Sequence, residues 1–172
     1  MLHPVVILRH LFSVLLLPFV MVVVVPRWLT TTNVTDSRWM NGRPDELLGR
    51  LAGTALFFAG FVLFAWCVWL FATAGKGTLA PWDPTKRLVA VGPYRHLRNP
   101  MISGVGAMLA GEALFHGSYV LAGWFACFMT FNHMYFVMLE EPGLERRFGS
   151  DYALYKAAVP RWLPRTAPWK GE

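Results

Sequence analysis

Apolar residues in this chain fall in long uninterrupted blocks. Residues 51–75 and 113–139 contain no Asp, Glu, Lys or Arg over 25 and 27 positions. A helix crossing the roughly 30 Å hydrocarbon core needs about 20 mostly apolar residues, so each block predicts a spanning helix. Residues 5–25 form a third if Arg9 and His10 lie near one end, where arginine reaches the interface. The alternative for this block, a cleaved signal peptide, expects a basic start and a small-residue cleavage site, and neither Met1 to Pro4 nor Pro26-Arg27-Trp28 supplies them. Residues 101–115 are short for a span and carry Glu112. Their small residues Gly104, Ala107 and Gly111 share one helix face, which lets another backbone approach closely. A tight hairpin turning at His116-Gly117-Ser118 follows, with a re-entrant segment as the alternative.

The expected fold is therefore all-α: a single multi-pass membrane domain over residues 1–172. It has about four transmembrane helices, near residues 5–25, 47–75, 99–116 and 117–139, the last two forming the hairpin. A loop over 76–99 and a C-terminal arm over 140–172 with short interfacial helices complete it.

Composition strengthens this picture. Of 172 residues, 55% are apolar and 15% charged, and mean hydropathy is +0.41, against about 25% charged in soluble domains. The formal charge of +6 is dispersed among aromatic and apolar residues, without the basic stripe that nucleic acid binding needs. Cys67 and Cys127 stand alone in apolar runs, so neither a disulfide framework nor a metal site is expected. The basic residues Lys76, Lys86, Arg87, Arg95 and Arg98 in one loop, and Arg146, Arg147, Lys156, Arg161, Arg165 and Lys170 in the tail, place both segments on the cytosolic side.

Two polar segments carry candidate chemistry. The first runs GTLAPWDPTKRLVAVGPYRHLRNPMISG from Gly77 to Gly104. Its four prolines fix φ and restrict the residues before them. It feeds Tyr94, His96, Arg98 and Asn99 into the start of a membrane helix, where polar groups need partners or a ligand. A plain juxtamembrane turn anchored by Trp82 and Tyr94 is the other reading. The second segment starts at Glu140-Glu141-Pro142. Glu141, Leu144, Phe148, Tyr152 and Tyr155 share a face at helical spacing, and Gly149 followed by Ser150-Asp151 predicts a stop and a restart. Two short interfacial helices are expected there.

The motifs GPYRHLRNPMISG, EEPGLERRFGSDYALYK and VPRWLPR resemble the isoprenylcysteine carboxyl methyltransferase family and the related phospholipid methyltransferases. The resemblance covers residues 77–164, about half the chain. It implies an integral membrane enzyme using S-adenosylmethionine, with no metal. The family pattern falls on Gly92, Pro93, Tyr94, Arg98, Asn99, Pro100 and Gly104, then on Glu140, Glu141, Leu144, Phe148, Gly149, Tyr152 and Tyr155. Asn99 stands where many members have His, and Ile102 where an aromatic often follows.

On this resemblance the catalytic residues are Arg98 and Glu141. The cofactor-binding set is Tyr94, His96, Leu97, Arg98, Asn99, Pro100, Glu140, Glu141 and Tyr152. Arg98 orients a carboxylate, and Glu141, with Glu140 beside it, binds the cofactor or acts as base. Tyr94, His96 and Tyr152 close the cytosolic side. Gly104, Ala107 and Gly111 thin the helix interface to admit a lipophilic acceptor from the bilayer. Glu112 and His116 are expected to be structural or interfacial, and Asn132 and His133 to hydrogen-bond between helices or touch the acceptor. A non-catalytic scaffold on the same fold is the competing class. A transporter is disfavoured because the polar groups cluster at one surface.

Overall fold

A computed structural model describes residues 16–32, 46–74 and 90–171, and all regular structure among them is helical apart from one isolated bridge residue at Ser118. Helix α1 runs Leu16–Thr32 and α2 Glu46–Ala74. A 3-10 turn at Gly92–Arg95 leads into α3, Pro100–His116. Helix α4 runs Tyr119–Phe148 and α5 Ser150–Ala158. Of these, Glu46–Leu70 within α2 and the whole of α4 are long and apolar enough to cross a bilayer, while α1 is a shorter apolar helix. The expected helical portion at residues 5–15, the loop at 76–89 with Trp82, and the polar stretch at 33–45 lie outside the described residues.

The expected end of the first helix near Val25 is corrected, because α1 continues through Pro26 to Thr32. A proline inside a helix lacks an N–H and crowds the carbonyl four residues back. The chain widens to a π turn at Val20–Val24, and Val25 N–H donates to Val20 O. The next donor in that i to i−5 pattern would be Pro26, which has none. Trp124 Nε1 on α4 donates to the orphaned Met21 carbonyl instead, at 3.1 Å. Beyond the proline, the Thr30, Thr31 and Thr32 hydroxyls bond back to carbonyls of the preceding turn.

The small-residue face of α3 meets α2 in an antiparallel seam. A Cβ on Gly60 would stand 2.5 Å from Gly104 O, and one on Gly53 would stand 2.6 Å from Gly111 O. The two pairs are seven residues apart on each helix, so the same faces meet again after two turns. Backbone fills this face, which overturns its expected use as an acceptor route. Above the seam, Val22, Phe64, Val105, Met108 and Leu109 form the core where α1, α2 and α3 meet. The outer face of α2 leaves Phe58, Phe61, Val62, Trp66 and Trp69 exposed, as a lipid-facing surface does.

The hairpin turn falls where the sequence placed it. Gly117 ends α3 in the left-handed region at φ 59°, and the Ser118 hydroxyl caps α4 by accepting from Leu121 N–H at 3.2 Å. The boundary after residue 139 is corrected: α4 does not stop at the acidic pair but passes through a π turn at Phe136–Glu140 and on to Phe148. Pro142 is compatible with this because the wide turn removes the close carbonyl it would otherwise meet. Gly149, at φ 54° and ψ −127°, then breaks the helix as expected.

Replacing Gly60 with Ala is expected to lower stability in detergent by about 1–3 kcal/mol through overpacking against Gly104. Gly123→Ala, on an open face of α4, should leave it unchanged or raise it by up to about 1 kcal/mol. Thermal unfolding of the two variants side by side measures the difference; equal behaviour would disprove the seam.

Candidate active site

The site is built where three irregular pieces of chain meet: the turn before α3, the π turn of α4, and the segment after α5. One inserted residue in a helix rotates everything beyond it by roughly 100°. The π turn at Phe136–Glu140 therefore separates an apolar stretch, with Val137, Met138 and Leu139 exposed, from Glu141, which is buried.

The Glu141 side chain is only 6% exposed and is surrounded by cations. Its Oε1 accepts from Arg98 NH1 at 2.9 Å and from Arg161 Nε at 2.8 Å. Its Oε2 lies 3.2 Å from Lys156 Nζ, which also donates to Glu145 Oε1 at 2.8 Å. Glu145 and then Glu141 hold the Lys156 ammonium above its ordinary range. A buried carboxylate is tolerable when its charge and lone pairs are matched, and here three cations converge on it. The phenol of Tyr152 lies within electrostatic reach of Arg98 and Glu141. Arg98 Nε is buried and has no hydrogen-bond partner among the described residues.

The turn carrying Arg98 is held from both sides. Tyr94 is buried, its phenol beside the Cys67 thiol on α2 and its carbonyl accepting from Tyr155 OH at 2.7 Å. Burial raises the pKa values of Tyr94, Tyr152 and Tyr155 above the ordinary phenol value, so these groups remain hydrogen-bond donors at neutral pH. The segment after α5 lies along the turn: Arg98 N–H donates to Pro160 O, Arg165 N–H to His96 O, and Trp169 N–H to Arg95 O, at 2.9–3.0 Å. The Tyr152, Tyr155 and Val159 cluster packs on Leu144 and Phe148, so the apolar stripe expected across the Gly149 break does form one buried face.

The structure thus brings together Tyr94, Arg98, Glu141 and Tyr152. Glu140 sits within electrostatic reach of Tyr94. His96 turns away from this cluster: its Nδ1 donates to the Arg165 carbonyl at 2.8 Å, fixing the C-terminal segment. Leu97 is buried in the turn, Asn99 caps α3 without a side-chain bond, and Pro100 opens the helix. Asn132 bonds back to Phe128 O in its own helix, and His133 Nδ1 accepts from Trp162 Nε1 at 3.0 Å.

Sequence reasoning missed Lys156 and Arg161 as partners of Glu141, and Tyr155 as the brace of Tyr94. Arg161 stands in the VPRWLPR motif, a signal that was available.

Because three cations share one carboxylate, the two sides of the cluster respond unequally to substitution. Arg98→Ala leaves Glu141 still paired with Arg161 and Lys156, whereas Glu141→Leu leaves Arg98 and Arg161 without their carboxylate and Lys156 with Glu145 alone. Removing the counter-charge of a buried pair costs about 3–5 kcal/mol. Glu141→Leu should approach that loss and Arg98→Ala fall clearly below it, as read by thermal unfolding in detergent. The reverse order would contradict the geometry.

The chain matches the phospholipid methyltransferase family over residues 48–151, more than half its length. The matched span takes in Arg98, Glu140 and Glu141 and stops before Lys156 and Arg161. No curated protein and no solved structure matches the chain. The family match agrees with the resemblance carried by the motifs, and with a turn, an acidic helix end and apolar helices assembled in one place, the chain belongs to the phospholipid methyltransferase family, methyltransferases acting on lipid-like substrates.

Proposed function

We propose that this protein transfers a methyl group from S-adenosylmethionine to a lipophilic acceptor at the cytosolic face of a membrane, through a multi-pass helical domain. The observation that carries the reading is the Arg98, Arg161, Lys156 and Glu141 cluster, with Arg98 Nε buried and unpartnered among the described residues. A ligand bearing both a carboxylate and positive groups is complementary to such a mixture of charges. S-adenosylmethionine has a carboxylate, an ammonium, a sulfonium and an adenine, and when bound it supplies an electrophilic methyl.

The residues divide the work by charge. Arg98 and Arg161 hold a carboxylate, Arg98 through its free Nε. Glu140 and Glu141 balance the ligand's positive groups, and buried Tyr94 braces the turn that carries Arg98. Tyr152, a protonated phenol, lies beside Arg98 and Glu141. Leu97, Asn99, Pro100 and His96 shape the turn that presents it. Methyl transfer is an in-line displacement, so holding the acceptor in line is the main task of the protein. An ionised carboxylate acceptor needs no base, whereas an amine or thiol must first lose a proton; Glu140, beside Glu141 and outside its three ion pairs, then takes that role.

The cytosolic assignment rests on the basic residues flanking the site and on the helix ends being shared: α3 begins and α4 ends beside it.

Isothermal titration of purified protein with S-adenosylmethionine tests the reading. Wild type should bind in the micromolar range, and Arg98→Ala should lose at least about tenfold in affinity while keeping its helical circular dichroism. Membranes given cofactor with a labelled methyl should yield a labelled lipid-soluble product. Absence of binding down to millimolar cofactor would instead favour a scaffold, and full affinity in folded Arg98→Ala would remove Arg98 from the site.

A further inference from the structure

At the other end of the seam between α2 and α3, a cavity of about 210 Å3 lies beside Gly53 and Gly111. Glu112 is fourteen residues beyond Arg98 on the same run of chain, which at 1.5 Å per helical residue puts it about 20 Å from the candidate active site. Phe57, Phe58 and Phe115 form its aromatic walls, and Thr54, Glu112 and His116 are its polar members. The walls open outward, since Phe58 is 60% and Phe115 40% exposed.

The polar members are unequally satisfied. Thr54 Oγ1 donates to the Arg50 carbonyl at 2.8 Å. The His116 ring meets the edge of Phe115 at 5.1 Å. Arg50 stands over the Phe115 ring at 5.9 Å and is paired with Glu46. Glu112 Oε2 is shielded from solvent and has no hydrogen-bond partner among the described residues.

A buried carboxylate oxygen without a partner is costly, and the faces of phenylalanine rings attract cations. Together they define the chemistry of a fitting ligand. An anion is repelled by Glu112, and a neutral apolar molecule leaves Oε2 unmatched. A bound metal ion needs several ligating side chains, and no group of three His, Cys, Asp or Glu residues suited to this occurs among the described residues. An alkylammonium group satisfies both features, with charge toward the carboxylate and carbon toward the rings. The cavity lies about one turn beyond Arg50, the last charged residue before the apolar run of α2, so it opens at the polar end of that run.

We infer that the cavity around Glu112 binds an alkylammonium group, supplied by the amine headgroup of a membrane lipid at the membrane face opposite the Arg98 site. This site is separate from the reaction site and does not depend on its chemistry.

Thermal unfolding of the full-length protein in detergent tests the inference, using choline chloride, its uncharged isostere 3,3-dimethylbutan-1-ol, and sodium chloride at matched ionic strength. A ligand that binds only the folded state raises the melting temperature with concentration. Choline should produce such a rise, the other two should not, and Glu112→Gln should abolish the response while leaving affinity for S-adenosylmethionine at its wild-type value. In lipid nanodiscs, phosphatidylethanolamine should stabilise wild type over Glu112→Gln more than phosphatidylglycerol does. Equal shifts with choline and its isostere, no shift with choline, or an unchanged response in Glu112→Gln would each overturn the proposal. A choline response in detergent without the nanodisc difference would overturn the lipid source. If Glu112→Gln does not fold, the comparison of choline with its isostere on wild type decides.

Discussion

The burial of the Glu141 carboxylate is the constraint on which the working end of this protein depends. A charge at this depth must be matched by partners close in space, and those partners come from separate stretches of chain: Arg98 ahead of α3, Lys156 in α5, and Arg161 beyond it. None of these stretches needs to lie near the others on grounds of helix packing alone. Once the carboxylate is buried they have no alternative, because each departure leaves an unmatched charge in a poorly hydrated place. The same arrangement makes the cluster receptive, since its cations outnumber the carboxylate they share and one buried donor, Arg98 Nε, is left over.

The irregular backbone around the cluster obeys a related rule. Irregular turns leave N–H and C=O groups that must find partners when they are buried. Here the turn at residues 92–98 and the segment after α5 satisfy one another, through Arg98 to Pro160, Arg165 to His96 and Trp169 to Arg95. Tyr155 closes the gap from α5 to Tyr94, and Trp169 packs against Tyr155 with rings 5.2 Å apart. His96 is drawn into this backbone scaffold. The C-terminal segment is thereby a structural wall of the site rather than a tail.

Proline has opposite consequences at two places. At Pro26 the loss of a donor is absorbed by a π turn and repaired by Trp124, which ties α1 to α4. At Pro142 a π turn again precedes the proline, and there the rotation it introduces carries Glu141 from the lipid side to the interior. Periodicity with 3.6 residues per turn cannot register either event, which is why both helix ends were expected several residues too early.

Much of the architecture was written in the sequence alone. The apolar blocks identified the long helices, Gly117 and Ser118 the hairpin turn, Gly149 the break before α5, and the two polar motifs the residues Tyr94, Arg98, Glu141 and Tyr152 that converge. These features are local: they follow from block length, special backbone angles and motif spacing. Tertiary structure decided what those residues meet. It assigned Gly104 and Gly111 to a closed seam with α2 instead of an opening, drew Lys156 and Arg161 onto Glu141, and turned His96 toward the Arg165 carbonyl. The physical reason is that close packing and charge matching are relations between distant segments, and a linear pattern records only which groups will need a partner, not which partner folding brings.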